Sequence, residues 1–273
     1  MKPLYVVKIG GNVIDNPENL KSFLSDFAAL NGYKILIHGG GKIATKLSWD
    51  LGVKSRMIEG RRVTDGETLK VVTMVYAGLV NKNIVVALQN DQCNAIGLTG
   101  ADGNFIRAKK RPVVKVYSEE KRANIKVDYG FVGDLDKNSV DSKAIFKLLE
   151  AGFTPVFSAI THDGKGQLLN TNADTIASVL AVSMANLYET SLIYCFEKAG
   201  VLMNVEDDNS LIKSIDPPYY QELKRQGIIN EGMIPKLDNA FEAIELGLKE
   251  VCIGKSDSLP SLNEHNFGTR LTK

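Results

Sequence analysis

At 273 residues the chain can hold one large α/β domain or two lobes, with an ample core. Hydrophobic residues at 44% and charged residues at 24% are ordinary for a globular chain, and a net charge of +1 gives no bulk attraction to nucleic acid, so any anion site must be made locally. Cys93, Cys195 and Cys252 are widely separated and form no CxxC pair, which argues against a disulfide framework or structural zinc; Cys195 and Cys252 lie in apolar runs and read as buried thiols.

In chain order, Leu4–Ile9 reads as a strand that runs into the glycine turn Lys8-Ile9-Gly10-Gly11-Asn12. A helix over 17–30 follows, then a strand Lys34–His38 and a second glycine turn, His38-Gly39-Gly40-Gly41-Lys42, opening a helix over 42–51. The long helical pattern 66–90 carries a start signal, Thr64 with Glu67 three residues on, spaced as a capping box. Strands at Asn94–Thr99, Thr154–Ile160, Ser191–Phe196 and Glu250–Gly254 alternate with helical stretches 139–151, 173–186 and 234–248. Segment 104–132, rich in β-branched residues and turn glycines, reads as an antiparallel hairpin, and 200–218 as an exposed excursion. Such alternation predicts an α/β three-layer sandwich, a central, mainly parallel sheet flanked by helices. The chain is expected to be a single domain, 1–273, with two lobes dividing near residue 185. Lys8 interrupts the first apolar run, no apolar segment of membrane-spanning length is expected, and the protein is predicted to be cytoplasmic, with no membrane and no nucleic-acid partner. The basic clusters Lys109-Lys110-Arg111 and Lys121-Arg122 read as solvated loop charges.

Glycine lets backbone N–H groups approach an anion closely, and a helix start adds its dipole. Two such turns near the start of the chain, one carrying a lysine, point to a phosphate site. A Walker A loop is excluded, since Lys42 is followed by Ile43 and Leu36 stands where the first glycine should be. A dinucleotide fingerprint fits better: Gly39-x-Gly41-x-x-Ala44 follows a strand, with Glu59 about twenty residues on, but it leaves Lys8-x-Gly10-Gly11 without a role. Farther on, Asn170-Thr171-Asn172-Ala173-Asp174 sets Asn172 as a helix N-cap beside a second asparagine and an acid. In Glu231-Gly232-Met233-Ile234-Pro235-Lys236 a lysine enters a first helical turn against the dipole, a placement explained if it faces a polyanion.

Taken together, Lys8-Ile9-Gly10-Gly11, His38-Gly39-Gly40-Gly41, Gly60-Arg61-Arg62-Val63-Thr64, Asn170-x-Asn172-Ala173-Asp174, Gly232-Met233-x-x-Lys236 and Gly268-Thr269-Arg270 resemble the amino acid kinase family, in its order and with its spacing. The resemblance implies ATP-dependent phosphorylation, with Mg²⁺, of the γ-carboxylate of an N-acyl-L-glutamate, N-acetyl or N-succinyl, as an early step of arginine biosynthesis. It implies a first lobe, 1–185, for the acyl amino acid and dimerisation, and a second, 186–273, for the nucleotide. Lys8 and Lys236 would flank the transferring phosphoryl group, with Asp174 between them. Gly10, Gly11, Gly40 and Gly41 would donate backbone N–H groups to phosphates and substrate. Arg62, Asn170 and Asn172 would serve the acyl amino acid, Arg62 and Asn170 at its α-carboxylate, with Arg61 the rival of Arg62. Glu197 stands where the family usually has aspartate at the nucleotide, and Tyr194, Cys195 and Phe196 beside it are atypical. The acceptor carboxylate is ionised near neutral pH, so no general base is required; no protein metal ligands are expected, and Mg²⁺ would ride on phosphates and water.

A kinase for a related acid such as aminoadipate, a dinucleotide-dependent oxidoreductase and a non-catalytic sensor are the alternatives. In the family, arginine inhibition accompanies an N-terminal helix that links dimers into a hexamer. A first strand starting near Leu4 leaves less than a turn for it, so a homodimer is expected, paired through Leu69, Val72, Tyr76, Leu79 and Val80 of the 66–90 helix.

Overall fold

The first apolar run, Pro3–Ile9, becomes an inner strand with both faces covered, its side chains from Val6 onward buried. The computed structural model describes residues 1–58, 61–118, 123–207, 209–229, 233–262 and 266–273. Among these, an eight-stranded sheet runs in the order Ser214–Ile215, Thr269–Leu271, Glu250–Lys255, Glu189–Phe196, Pro3–Ile9, Tyr33–His38, Thr154–Ser158, Ala95–Leu98. Every pairing is parallel except that of Thr269–Leu271 with Glu250–Lys255. Near-continuous Val/Ile/Leu runs suit a parallel sheet buried on both faces. Helices Ser142–Glu150, Ala173–Met184 and Ile234–Glu245 pack in one layer, and Pro17–Ala29 with Asn81–Asn90 in another, giving the predicted three-layer sandwich.

Strand order reverses about Pro3–Ile9, whose neighbours are Tyr33–His38 on one side and Glu189–Phe196 on the other. In an open parallel sheet, the crevice outside the carboxyl ends of the strands at such a reversal is where ligands bind. Lys8, both glycine turns and Phe196 all lie at that edge. A smaller sheet, Ile160–His162, Leu168–Thr171, Val132–Asp134 and Lys109–Lys110, and two hairpins, Arg56–Ile58 with Arg61–Val63 and Val114–Ser118 with Ala123–Val127, stand beside it. The second hairpin is the one predicted within 104–132. Glu59, Gly60, Lys121, Arg122, Glu231, Gly232 and His265 lie outside the described residues.

Several expectations need correction. The N-cap of the long helix is Asp65, whose side chain accepts from the Thr68 N–H at 2.8 Å; Thr64 is instead bridged to Gly130 and turned toward Arg62. The helical rod Gly66–Asn90 is long and apolar enough to cross a membrane by length and composition, contrary to expectation, yet 44% of its most apolar window is buried in this fold. Its middle, Met74–Val80, widens into π-helical turns. Of the five residues assigned to a dimer face, Leu69, Val72, Tyr76 and Val80 are buried in the chain's own core and Leu79 is exposed; Met74 and Val86 are the rod's other exposed large apolar side chains.

The rod is pinned to the sheet by a buried polar network. Asn81 Nδ2 donates to the Val156 carbonyl at 3.0 Å and lies 3.0 Å from His38 Nε2, while His38 Nδ1 lies 2.8 Å from the Gly39 carbonyl. These partners require His38 to be neutral, with its proton on Nδ1. Complete burial pushes its pKa down to about 4. At the far edge, Thr269 Oγ1 accepts from the Val201 N–H and donates to the Ile212 carbonyl, and Arg270 pairs with buried Glu250.

Candidate active site

Lys8 sits next to the end of the first strand with its side chain nearly enclosed, 11% exposed, and its Nζ lies 2.8 Å from Asp174 Oδ1. A buried ammonium is costly without such a partner. Asp174 reaches it because Asn172 caps the helix Ala173–Met184, its side chain accepting from the Thr175 N–H at 3.0 Å and leaving the acid in the first turn. The carboxylate is 35% exposed, so the pair faces solvent on one side. Tyr194, two residues before the strand end, donates its hydroxyl to the Asp174 backbone carbonyl at 3.4 Å. Burial, with the Asp174 charge second, drives the Tyr194 hydroxyl well above its ordinary pKa, so it stays protonated and able to donate.

Lys236 arrives from the opposite side, in the first turn of Ile234–Glu245, as its sequence position implied. Both lysines approach the Phe196 ring: Lys8 Nζ is 5.3 Å and Lys236 Nζ 4.5 Å from its centroid. Lys236, Asp174, Asn172, Tyr194 and Phe196 share the wall of a cavity of about 820 Å³, with Arg61, Arg111 and Lys137 farther along it. That volume is within the range of small-molecule sites.

A second cluster adjoins the first through the strand Leu168–Thr171. Arg62 is buried; its Nη2 donates to the Gly41 carbonyl at 3.0 Å and to Thr45 Oγ1 at 2.8 Å, and its Nη1 donates to Ser55. Three of its five N–H donors are thus engaged within the chain. Asn170 Nδ2 donates to Thr64 Oγ1 at 3.0 Å, and that hydroxyl donates to the Arg62 carbonyl at 3.1 Å. Strand alternation separates the two arginines: Arg62 points into this network, and Arg61 to the cavity wall.

The glycine turns differ from expectation in one respect. The Gly10 N–H is donated to the Cys195 carbonyl at 3.0 Å, which removes it as a phosphate donor. What Gly10 supplies is close packing, because a Cβ there would lie 3.3 Å from that same carbonyl oxygen. Gly11 opens the short helix Gly11–Asp15, with open space around its missing Cβ. Gly40 has φ +147°, and a Cβ would meet Tyr76 at 3.1 Å and Val80 at 3.2 Å. It caps the helix Gly41–Asp50, whose first intrahelical bond runs from the Ala44 N–H to the Gly40 carbonyl; the amides before Ala44 therefore face outward, as at any helix start. Lys42 turns away to Asn12 and Asp15 and so joins the two glycine turns. Glu197 is exposed on the bend after Phe196 and is not among the cavity-lining residues.

The structure therefore brings Lys8, Asp174, Lys236 and Asn172 together, and joins Arg62, Gly41 and Asn170 in an adjoining network. Sequence reasoning passed over Thr64, Thr45 and Ser55 as partners of these residues, and noted Phe196 without giving it a role. Thr64 is readable in retrospect, two residues after Arg62 and so on the same side of an extended chain.

A family model described as the amino acid kinase family matches residues 3–255. An acetylglutamate kinase of Cytophaga hutchinsonii is 53% identical over 273 residues, covering 99% of each chain. One from Phocaeicola vulgatus is 50% identical over 270 residues, covering 99% of this chain and 98% of its own. Among solved structures, carbamate kinase from Giardia aligns with a TM-score of 0.69 at 14% identity, over 100% of this chain and 99% of that one, a likeness of fold.

Proposed function

The chain belongs to the amino acid kinase family, and we propose that it transfers the γ-phosphoryl group of ATP to the γ-carboxylate of an N-acyl-L-glutamate, N-acetyl-L-glutamate first, in arginine biosynthesis. The relatives' name as acetylglutamate kinases supports this phosphotransferase reading. The observation that carries it is the convergence of Lys8, held by Asp174, and Lys236 over one aromatic ring at the sheet reversal.

The acceptor is a carboxylate, ionised near neutral pH with an ordinary pKa of about 4.3, and needs no base. The work lies in alignment and in stabilising charge as the phosphoryl group passes between two oxygens. In our reading Lys8 and Lys236 take that charge from two sides, while Asp174 keeps Lys8 aimed. Gly11, Gly40 and Gly41 offer backbone N–H groups or close approach, and Gly10 the packing that brings the turn against the strand. Arg62 and Asn170 hold the α-carboxylate, and Asn172 fixes the helix start between the two clusters. Glu197 approaches the nucleotide from the exposed bend. Mg²⁺ would ride on the nucleotide phosphates and water. It would supply further charge neutralisation.

The division near residue 185 is read as an acyl-amino-acid lobe followed by a nucleotide lobe. A homodimer formed on the exposed apolar residues Met74, Leu79 and Val86 of the rod completes the proposal, and light scattering tests it. An N-succinyl cap, which ends in a second carboxylate, is the second reading of the substrate, favoured by Arg61 and Lys137 on the cavity wall, where Arg111 is already paired to Asp134. The deciding experiment is ATP turnover with N-acetyl-L-glutamate, N-succinyl-L-glutamate and N-acetylaminoadipate, with free glutamate and carbamate as controls. Turnover confined to the controls, or absent throughout, would overturn the reading.

A further inference from the structure

Two ammonium groups gathered at one ring repel each other, and among the described residues the ion pair of Asp174 is with Lys8. Lys236 is exposed, and a neighbour that steadies its ammonium would keep it in place while the site waits for a nucleotide. A further carboxylate would do so, but it would compete with phosphate for the lysines and repel the incoming polyanion. An aromatic face attracts cations through its quadrupole without carrying charge. Phe196 has that relation to both lysines, at 5.3 Å and 4.5 Å, and it stacks on Tyr194 with centroids 6.0 Å apart and planes 19° apart. Tyr194 in turn is tied to the backbone of Asp174. The aromatic pair therefore connects the strand end to both lysines and to the helix turn that carries their acid.

Resting on the kinase reading above, we propose that Phe196 is a positioning residue for phosphoryl transfer, its ring holding the Lys8 and Lys236 ammonium groups in place for the nucleotide. Its effect is expected on turnover rather than on acceptor affinity, because its ring faces Lys8, Lys236 and Tyr194.

The test replaces Phe196 by mono-, di- and trifluorophenylalanine, which drain the ring's quadrupole at nearly constant shape, together with Phe196→Tyr and Phe196→Leu. Stepwise loss of kcat with each fluorine is expected, Phe196→Tyr close to wild type, and Phe196→Leu lower in kcat by about fivefold to thirtyfold. The acceptor KM should stay within about twofold. A packing role would leave the fluorine series flat, and that result overturns the proposal. A second readout needs no activity: in protein labelled with ¹³C-lysine, the Cε resonances of Lys8 and Lys236 should be ring-shifted upfield and lose that shift in Phe196→Leu. Unshifted lysines in the wild type overturn the proposal, whereas ring-shifted lysines in a protein that turns over no N-acylglutamate would leave the positioning intact and sink the kinase reading instead.

Discussion

Acid should loosen this fold through one side chain. His38 is fully buried, its Nδ1 committed to Gly39 and its Nε2 to Asn81, and burial depresses its pKa from 6.5 to about 4. The unfolded chain takes up a proton below pH 6.5 that the folded chain refuses until about pH 4. Stability from this residue is therefore intact above pH 6.5, is lost as the pH falls from there to 4, and changes no further below. Linkage over that interval gives a loss of about 2 kcal/mol at pH 5 and about 3 kcal/mol at pH 4. The residue opens the second glycine turn, so the loss should reach the site as well as the core. The assay is urea unfolding at pH 7.5 and pH 5.0 for the wild type and His38→Gln. The wild type should lose about 2 kcal/mol more than the variant across that range. The imidazole Cε1–H resonance of His38 in the folded protein should titrate well below pH 5.5. An imidazole titrating near 6.5, or equal losses in the two proteins, would refute the reasoning.

Lys8→Ala and Lys236→Ala should each lower kcat by about a hundredfold, roughly the 3 kcal/mol of a preorganised charge, with smaller changes in the acceptor KM; steady-state kinetics with both variants near wild-type turnover would discard the two-lysine clamp. Arg62→Ala should raise the acceptor KM by about tenfold or more and lower the melting temperature, since it also frees Gly41, Thr45 and Ser55, whereas Arg61→Ala should do neither; the reverse pattern would move the carboxylate anchor to Arg61. Gly40→Ala forces a side chain into φ +147° against Tyr76 and Val80, at a cost of about 1–3 kcal/mol, and calorimetry finding an unchanged melting temperature would contradict the strain argument.

The long buried strands and amphipathic helices were legible in the sequence because each carries its own periodic signal. Several shorter strands, such as Ser214–Ile215 and Val132–Asp134, were not, since they exist through pairing with distant segments. The helix start slipped by one residue because Thr64 and Asp65 can both cap; the bridge to Gly130 and the hydrogen bond from Asn170 claim Thr64, leaving the cap to Asp65. At the site, Lys8, Asp174 and Lys236 were readable from their motifs, and the structure brings the three together. The donor role of Gly10 was misread, as its N–H is taken by a strand some 185 residues away, a pairing with no local trace. Which apolar residues of the rod point inward was equally unreadable: the π-helical turns at Met74–Val80 shift the face that a regular 3.6-residue period would present.

The position of the first strand bears on how the chain is made. Pro3–Ile9 is synthesised before both of its sheet partners, and Tyr33–His38 can close one of its edges soon after. Its other edge pairs with Glu189–Phe196. At about 5–20 residues per second, that partner is synthesised roughly 10 to 40 s later. Throughout that interval a nascent Val/Ile-rich strand offers an open row of N–H and C=O groups, the kind of edge that recruits other chains. Translation speed, and chaperone access to the first forty residues, should therefore govern yield more strongly than the stability of the finished sheet.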